Sequence, residues 1–213
     1  MAKKQSPYIW DPQELRYRYR DGGGLVPHAQ VELALDEALS HARLIARKVS
    51  VDLINREITL KEWQGQMRDL SREAILLGVA TAKGGLRQLT DEDQQFAAEL
   101  IRQQIDYLLR FARQIKSGEQ RLDGRLIDRA GMYASAGRIA YWRTQAEMQL
   151  QAAGREGYAL EEHNVLGSAE HCDECLEQTA LGWVPIGTLI PVGERRCLSK
   201  CKCGIRYRQR GKQ

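Results

Sequence analysis

A chain of 213 residues with 43 % hydrophobic and 28 % charged content has the composition of an ordinary globular protein, one domain with appendages or two small ones. No apolar run approaches the roughly 20 residues of a membrane span, and Met1–Pro7 lacks a signal peptide's apolar stretch, so the expectation is no membrane and a reducing cytoplasm. The net charge of +4 hides two basic ends, residues 1–20 and 194–213, around an acidic middle, which suggests an anionic partner: nucleic acid or an acidic protein surface.

In chain order, residues 1–27 read as an extended N-terminal arm. Tyr8, Trp10, Tyr17 and Tyr19 are interleaved with Arg16, Arg18 and Arg20, and Asp21-Gly22-Gly23-Gly24 makes a turn. The alternation allows a small hairpin. Its aromatics can stack on bases or dock on protein, and docking is the better expectation because Arg and Tyr are also typical interface residues. Too few apolar positions are present for a core of its own, so the arm is expected to be mobile in the monomer and ordered only on a neighbouring subunit.

Residues 28–157 read as a helical domain. Val31, Leu35, Ala38, Ala42, Ile45 and Val49 trace one face of an amphipathic helix. Thr59-Leu60-Lys61-Glu62 is a capping box that opens a second helix, with Trp63, Met67, Leu70, Ala74 and Leu77 as its seam and Gly84-Gly85 as its stop. Thr90 caps a third, which runs through Phe96, Leu100, Tyr107 and Phe111. One long helix is expected from about Asp123 to Ala153, ended by Gly154 and Gly157. Its small residues, Ala130 to Ala140, invite another backbone to approach closely, in the bundle or in a neighbouring subunit. Short connections make an antiparallel bundle.

Residues 158–213 form the remaining unit, a small β module with a basic tail. All five cysteines lie here: Cys172-x-x-Cys175, then Cys197-x-x-x-Cys201-x-Cys203. Tyr158–Leu166 reads as a strand, and Leu181–Gly193 as short strands broken by Gly and Pro turns. So small a piece buries too little apolar surface to fold alone, and a structural Zn²⁺ held by four thiolates would supply the deficit. The α+β expectation is therefore a helical bundle with a zinc-stabilised β module. Cys172 and Cys175 are the safest ligands, with Cys201 and one of Cys197 or Cys203 completing the set. A disulfide framework fits an odd cysteine count poorly, and free thiols are the other alternative. Replacing Cys172 or Cys175 is expected to unfold the module and spare the helices.

The segment from Tyr141-Trp142-Arg143-Thr144-Gln145 through His171-Cys172-Asp173-Glu174-Cys175, Gly182-Trp183-Val184-Pro185 and Cys197-Leu198-Ser199-Lys200-Cys201-Lys202-Cys203 resembles the phage Mu F-like minor head proteins, the phage head morphogenesis family. That family's pattern is Cys-x-x-Cys, a Gly-containing strand, a Pro and a terminal His-x-x-Cys-x-Cys. Cys172, Cys175, Cys201 and Cys203 match its cysteines; its His is absent, and Cys197 stands one residue upstream of that place. The resemblance covers about residues 125–206. It implies a structural virion protein of the head, made in the host cytoplasm and present in several copies. The partners it implies are other phage structural proteins, the portal and the major capsid protein, with contact to packaged DNA as a further option.

No His-Glu-x-x-His, phosphate-binding Gly loop or Gly-x-Ser-x-Gly occurs. His171 beside Cys172 is poorly placed to act as its base, and four sulfurs leave zinc no open position, so no enzyme activity is expected. The alternative function is a zinc-ribbon-like nucleic-acid-binding protein using the basic tail. A continuous positive stripe on the module would favour DNA; charges wrapped on protein would favour assembly.

Overall fold

The computed structural model describes residues 6–167 and 170–210. The first five residues of the arm, with Lys3 and Lys4, and the end of the tail, with Lys212, lie outside the described residues. The chain is α+β and mainly helical, with two small antiparallel sheets.

From Ser6 on, the N-terminal segment is folded against the helices rather than extended as an arm. Strands β1 (Tyr8–Asp11), β2 (Arg16–Tyr19) and β3 (Leu25–Val26) form an antiparallel sheet in the order β1-β2-β3, with Trp10 opposite Tyr17. Tyr17 is fully buried, and its ring meets Tyr8, Trp10 and His28 edge-on at 5.0–5.4 Å. Its hydroxyl donates to the Ala82 carbonyl at 2.8 Å and accepts from Gln145 Nε2. The segment has no core of its own, as its composition requires, but it borrows one from the helices. Gly84 makes the approach possible: it caps its helix at φ +82°, and a Cβ there would fall 2.6 Å from Ile9 Cα.

Helices α1 (His28–Ile54), α2 (Leu60–Lys83) and α3 (Asp91–Lys116) follow. Thr59 with Glu62 and Thr90 with Asp93 close reciprocal capping boxes that satisfy the first amides of α2 and α3. The α1 face differs from the expected one. Leu39, Ala46 and Leu53 are buried with Val31, Leu35 and Val49, whereas Ala38 and Ile45 are exposed. One extra step of four residues at Leu39 turns the stripe, because a helix does not keep a strict alternation of three and four. On α3 Leu108 is buried in place of Tyr107.

The expected long helix is two. Helix α4 (Gly124–Ala134) ends and α5 (Ala136–Glu156) begins at Ser135, whose hydroxyl donates to the Gly131 carbonyl at 3.1 Å. Gly154 lies inside α5, and Gly157 in the left-handed region closes it. The small residues bring α5 onto α2 within the chain. A Cβ on Gly78 would lie 2.0 Å from the Gly137 carbonyl oxygen, and one on Gly137 would lie 2.3 Å from the Ala74 oxygen. Gly131, by contrast, has open space beside it.

The C-terminal module holds β4 (Leu160–Val165), α6 (Asp173–Ala180), β5 (Val184–Pro185) and β6 (Gly204–Gln209), with β4 central in the order β5-β4-β6. Helix α6 and strand β6 were not expected, and β5 is the one strand in 181–193. The module is seated on the helices by Arg206 Nη1 to Glu32 at 2.9 Å and by a shared apolar core. Cys175, Cys201, Cys203 and Ile205 join Val31, Leu35, Tyr141 and Trp142 in that core. No helix of the described residues is long and apolar enough to cross a membrane.

Candidate metal centre

All five cysteines converge, each from a different local setting. Cys172 is the N-cap of α6, and its carbonyl accepts from the Cys175 amide at 2.9 Å. The Cys-x-x-Cys pair is thus a helix start, which places both sulfurs on one side of its first turn. Cys197 precedes a short 3-10 turn, Leu198–Lys200, and Cys201 follows it. Cys201 and Cys203 would face opposite ways on a regular strand, but both come before β6, and both are buried.

Cys175 Sγ lies 3.6 Å from Cys197 Sγ and 3.7 Å from Cys201 Sγ. The sulfurs form two triads that share Cys175: Cys172, Cys175 and Cys197, and Cys175, Cys201 and Cys203. None is in a disulfide. Four sulfurs at about 2.3 Å from a tetrahedral ion stand about 3.8 Å apart, so the two measured separations are compatible with neighbouring ligands of a metal-thiolate site. Soft thiolates in this arrangement suit zinc, copper(I) or an iron–sulfur centre.

The surroundings bear on the thiols' charge. The Cys175 amide holds the Cys172 thiol below the ordinary cysteine range. Burial raises Cys175 and pushes Cys197 up to about 12, and the neighbouring Cys201 thiol with burial raises Cys203 further. Crowded, desolvated thiols resist ionising together unless a cation sits among them, and a bound metal supplies that charge. Arg195 is fully buried at the same place. Its Nη1 donates to Asn164 Oδ1 at 2.6 Å and lies 3.8 Å from Cys175 Sγ, and its Nε donates to the Ile190 carbonyl at 2.8 Å.

Three supporting residues were missed in the sequence. Asn164, fully buried on β4, donates to the Cys175 carbonyl at 3.2 Å and to Thr179 Oγ1 at 2.7 Å, fixing α6. Glu162, two residues earlier on the same face, accepts from the Gly187 and Leu189 amides at 2.9 and 2.8 Å. Arg138 of α5, paired with Asp36 at 2.7 Å, donates through Nη2 to the Lys202 and Cys203 carbonyls at 3.2 Å. Strand alternation put Glu162 and Asn164 on the inward face with Leu160, and polar residues at core positions were the available signal. His171 brings Nδ1 to 3.8 Å from Cys203 Sγ.

Four of the seven described basic residues of the tail meet carboxylates of the chain. Arg196 faces Glu174, Lys202 faces Asp36, Arg206 faces Glu32, and Arg208 pairs with Glu161 at 2.8 Å while stacking over Trp183. No family model, curated protein or solved structure matches the chain.

Proposed function

We propose that this chain is a structural minor head protein of a phage, in which a zinc ion held by the C-terminal cysteines fixes a small module onto a helical body that bridges capsid or portal subunits. The observation that carries it is the cysteine cluster. The four cysteines that match the head morphogenesis pattern, Cys172, Cys175, Cys201 and Cys203, lie in one cluster together with Cys197, which departs from it.

Zinc is the ion of choice because the site is built of sulfur, redox-neutral zinc needs no further cofactor, and four thiolates close its coordination. In this reading the metal stabilises and does not catalyse. The charge arrangement weighs against the tail-based nucleic-acid alternative, since four of the seven described cations of the tail meet carboxylates of their own chain.

The test is mass spectrometry and immunolabelling of phage particles purified from the host that encodes the chain. The expected result is several copies per head, lost when Cys175→Ser removes the cluster's shared ligand. Particles that lack the chain, or heads that form normally without it, would refute the proposal.

A further inference from the structure

Two clefts flank α4. One, of about 820 Å³, lies between α3, α4, α5 and the loop before the 3-10 turn; the other, of about 460 Å³, lies between α1 and α4. Met132 lines both. The first has an apolar floor of Ile75, Leu100 and Ile139, with Arg110, Arg129 and Arg143 around it. The second sets Leu44 and Ile127 among Arg43, Arg47 and Lys200. Among the described residues two carboxylates line this face, Glu194, already paired with Arg143, and Asp128. In a chain whose middle is acidic overall, that is a local concentration of positive charge over apolar surface.

The 3-10 turn joins the two clefts. Leu198 lines the first and Lys200 the second. Leu198 sits at φ +48°, a conformation a leucine adopts at a cost, and leaves its side chain 44 % exposed. The flanking residues, Cys197 and Cys201, both lie within the thiol cluster. The cluster thus holds an apolar side chain out at the centre of a cationic face.

We infer that this face docks an acidic, amphipathic segment of a partner protein, and that the metal-held turn from Cys197 to Cys201 completes it. Charge complementarity names the partner's sign, and the apolar floors name its class. Leucine, isoleucine and methionine offer a phosphate backbone nothing, and the Tyr107 ring, the aromatic a base would stack on, is covered by Arg110 at 4.7 Å. The completing role of the turn rests on the proposed metal site; the docking face does not.

The experiment uses a fluorescein-labelled peptide with Leu at every third or fourth position and Glu elsewhere, titrated by anisotropy against the zinc-loaded full chain. Saturable binding that weakens with salt is expected, about tenfold or more weaker for the double variant Arg47→Glu/Arg110→Glu and unchanged for Arg16→Glu on the N-terminal sheet. Both cleft arginines are exposed, so the fold is spared. Leu198→Asn keeps a residue that tolerates the left-handed region and removes the apolar tip, and it should weaken binding several-fold at unchanged metal content. No binding, equal binding by the Lys-for-Glu peptide, indifference to both variants, or displacement by a DNA oligonucleotide from the same arginines overturns the inference. Chelation separates the two claims. Zinc present with no peptide binding refutes the docking face alone, and peptide binding by a chain that never holds metal refutes the metal site and the completing role of the turn.

Discussion

Gly78→Ala isolates the contact on which the packing of the helical body turns. In an exposed helix the change gains about 0.5–1 kcal/mol, because alanine loses less backbone freedom on folding. Here the new Cβ lands 2.0 Å from the Gly137 carbonyl oxygen and 3.1 Å from Ala140 Cβ. Backbone lies on both sides, so no flexible side chain can yield, and α2 must part from α5 by roughly 1 Å or more to restore van der Waals contact. Overpacking of this kind costs about 3 kcal/mol, the upper end of its usual range, because the clash is with backbone. Subtracting the propensity gain leaves a net loss of about 2 kcal/mol, which for a chain of this size is a fall in Tm of about 4–8 °C. Gly131→Ala on α4 and Gly65→Ala on α2 are the controls, since a Cβ at either meets nothing within 4 Å. Both should be neutral or stabilising by up to about 1 kcal/mol. Urea and thermal unfolding followed by circular dichroism, at saturating zinc, measure all three. If Gly78→Ala stabilises the chain as the controls do, the close crossing of α2 and α5 is wrong.

Tyr17→Phe leaves the Ala82 carbonyl with only a 3.4 Å contact from Gln145, so it should cost about 1–2 kcal/mol in the same unfolding experiment, whereas an arm mobile in the monomer would give no change. Hydrogen exchange should show the amides of β2 protected in the free chain. His28 is held down at about 4 by burial, with Arg206 adding to the effect, against an ordinary value of 6.5. Between those values the unfolded chain binds a proton that the folded chain does not. Stability is therefore full above about pH 6.5 and falls by up to about 3 kcal/mol as the pH drops toward 4, and His28→Phe should flatten that part of the pH–stability curve. Arg138→Met should speed zinc release to a chelator, by removing the grip on the Lys202 and Cys203 carbonyls, and an unchanged release rate would deny the residue that role.

The capping box at Thr59, the cap at Thr90 and the stop at Gly84 were legible because they are local: the donor, the acceptor and the chain reversal lie within a few residues of one another. The gathering of cysteines was legible for the same reason. What escaped depends on partners distant in sequence. Tyr17 finds its place through Ala82 and Gln145, more than 60 residues away, so counting apolar positions within residues 1–27 could not reveal a borrowed core. The break at Ser135 left only an Ala/Gly-rich run that any helix tolerates. Within that run, nothing local separated Gly137, pressed against α2, from Gly131, facing open space. Helix α6 was hidden because its eight residues follow a cysteine cap and show little periodicity, and β6 because Arg206 and Arg208 read as tail until Glu32 and Glu161 are seen opposite them. The shared core also revises one expectation. Cys175, Cys201 and Cys203 pack with α1 and α5, so loss of a ligand should loosen the helical body as well as the module.

Metal analysis of the purified, desalted chain, paired with titration of its thiols, tests the central claim most directly. The account predicts about one zinc per chain, thiols that stay unreactive until a chelator removes it, and loss of the metal with Cys175→Ser, the sulfur common to both triads. A chain that folds with no bound metal, its thiols freely reactive or paired as disulfides, would contradict it.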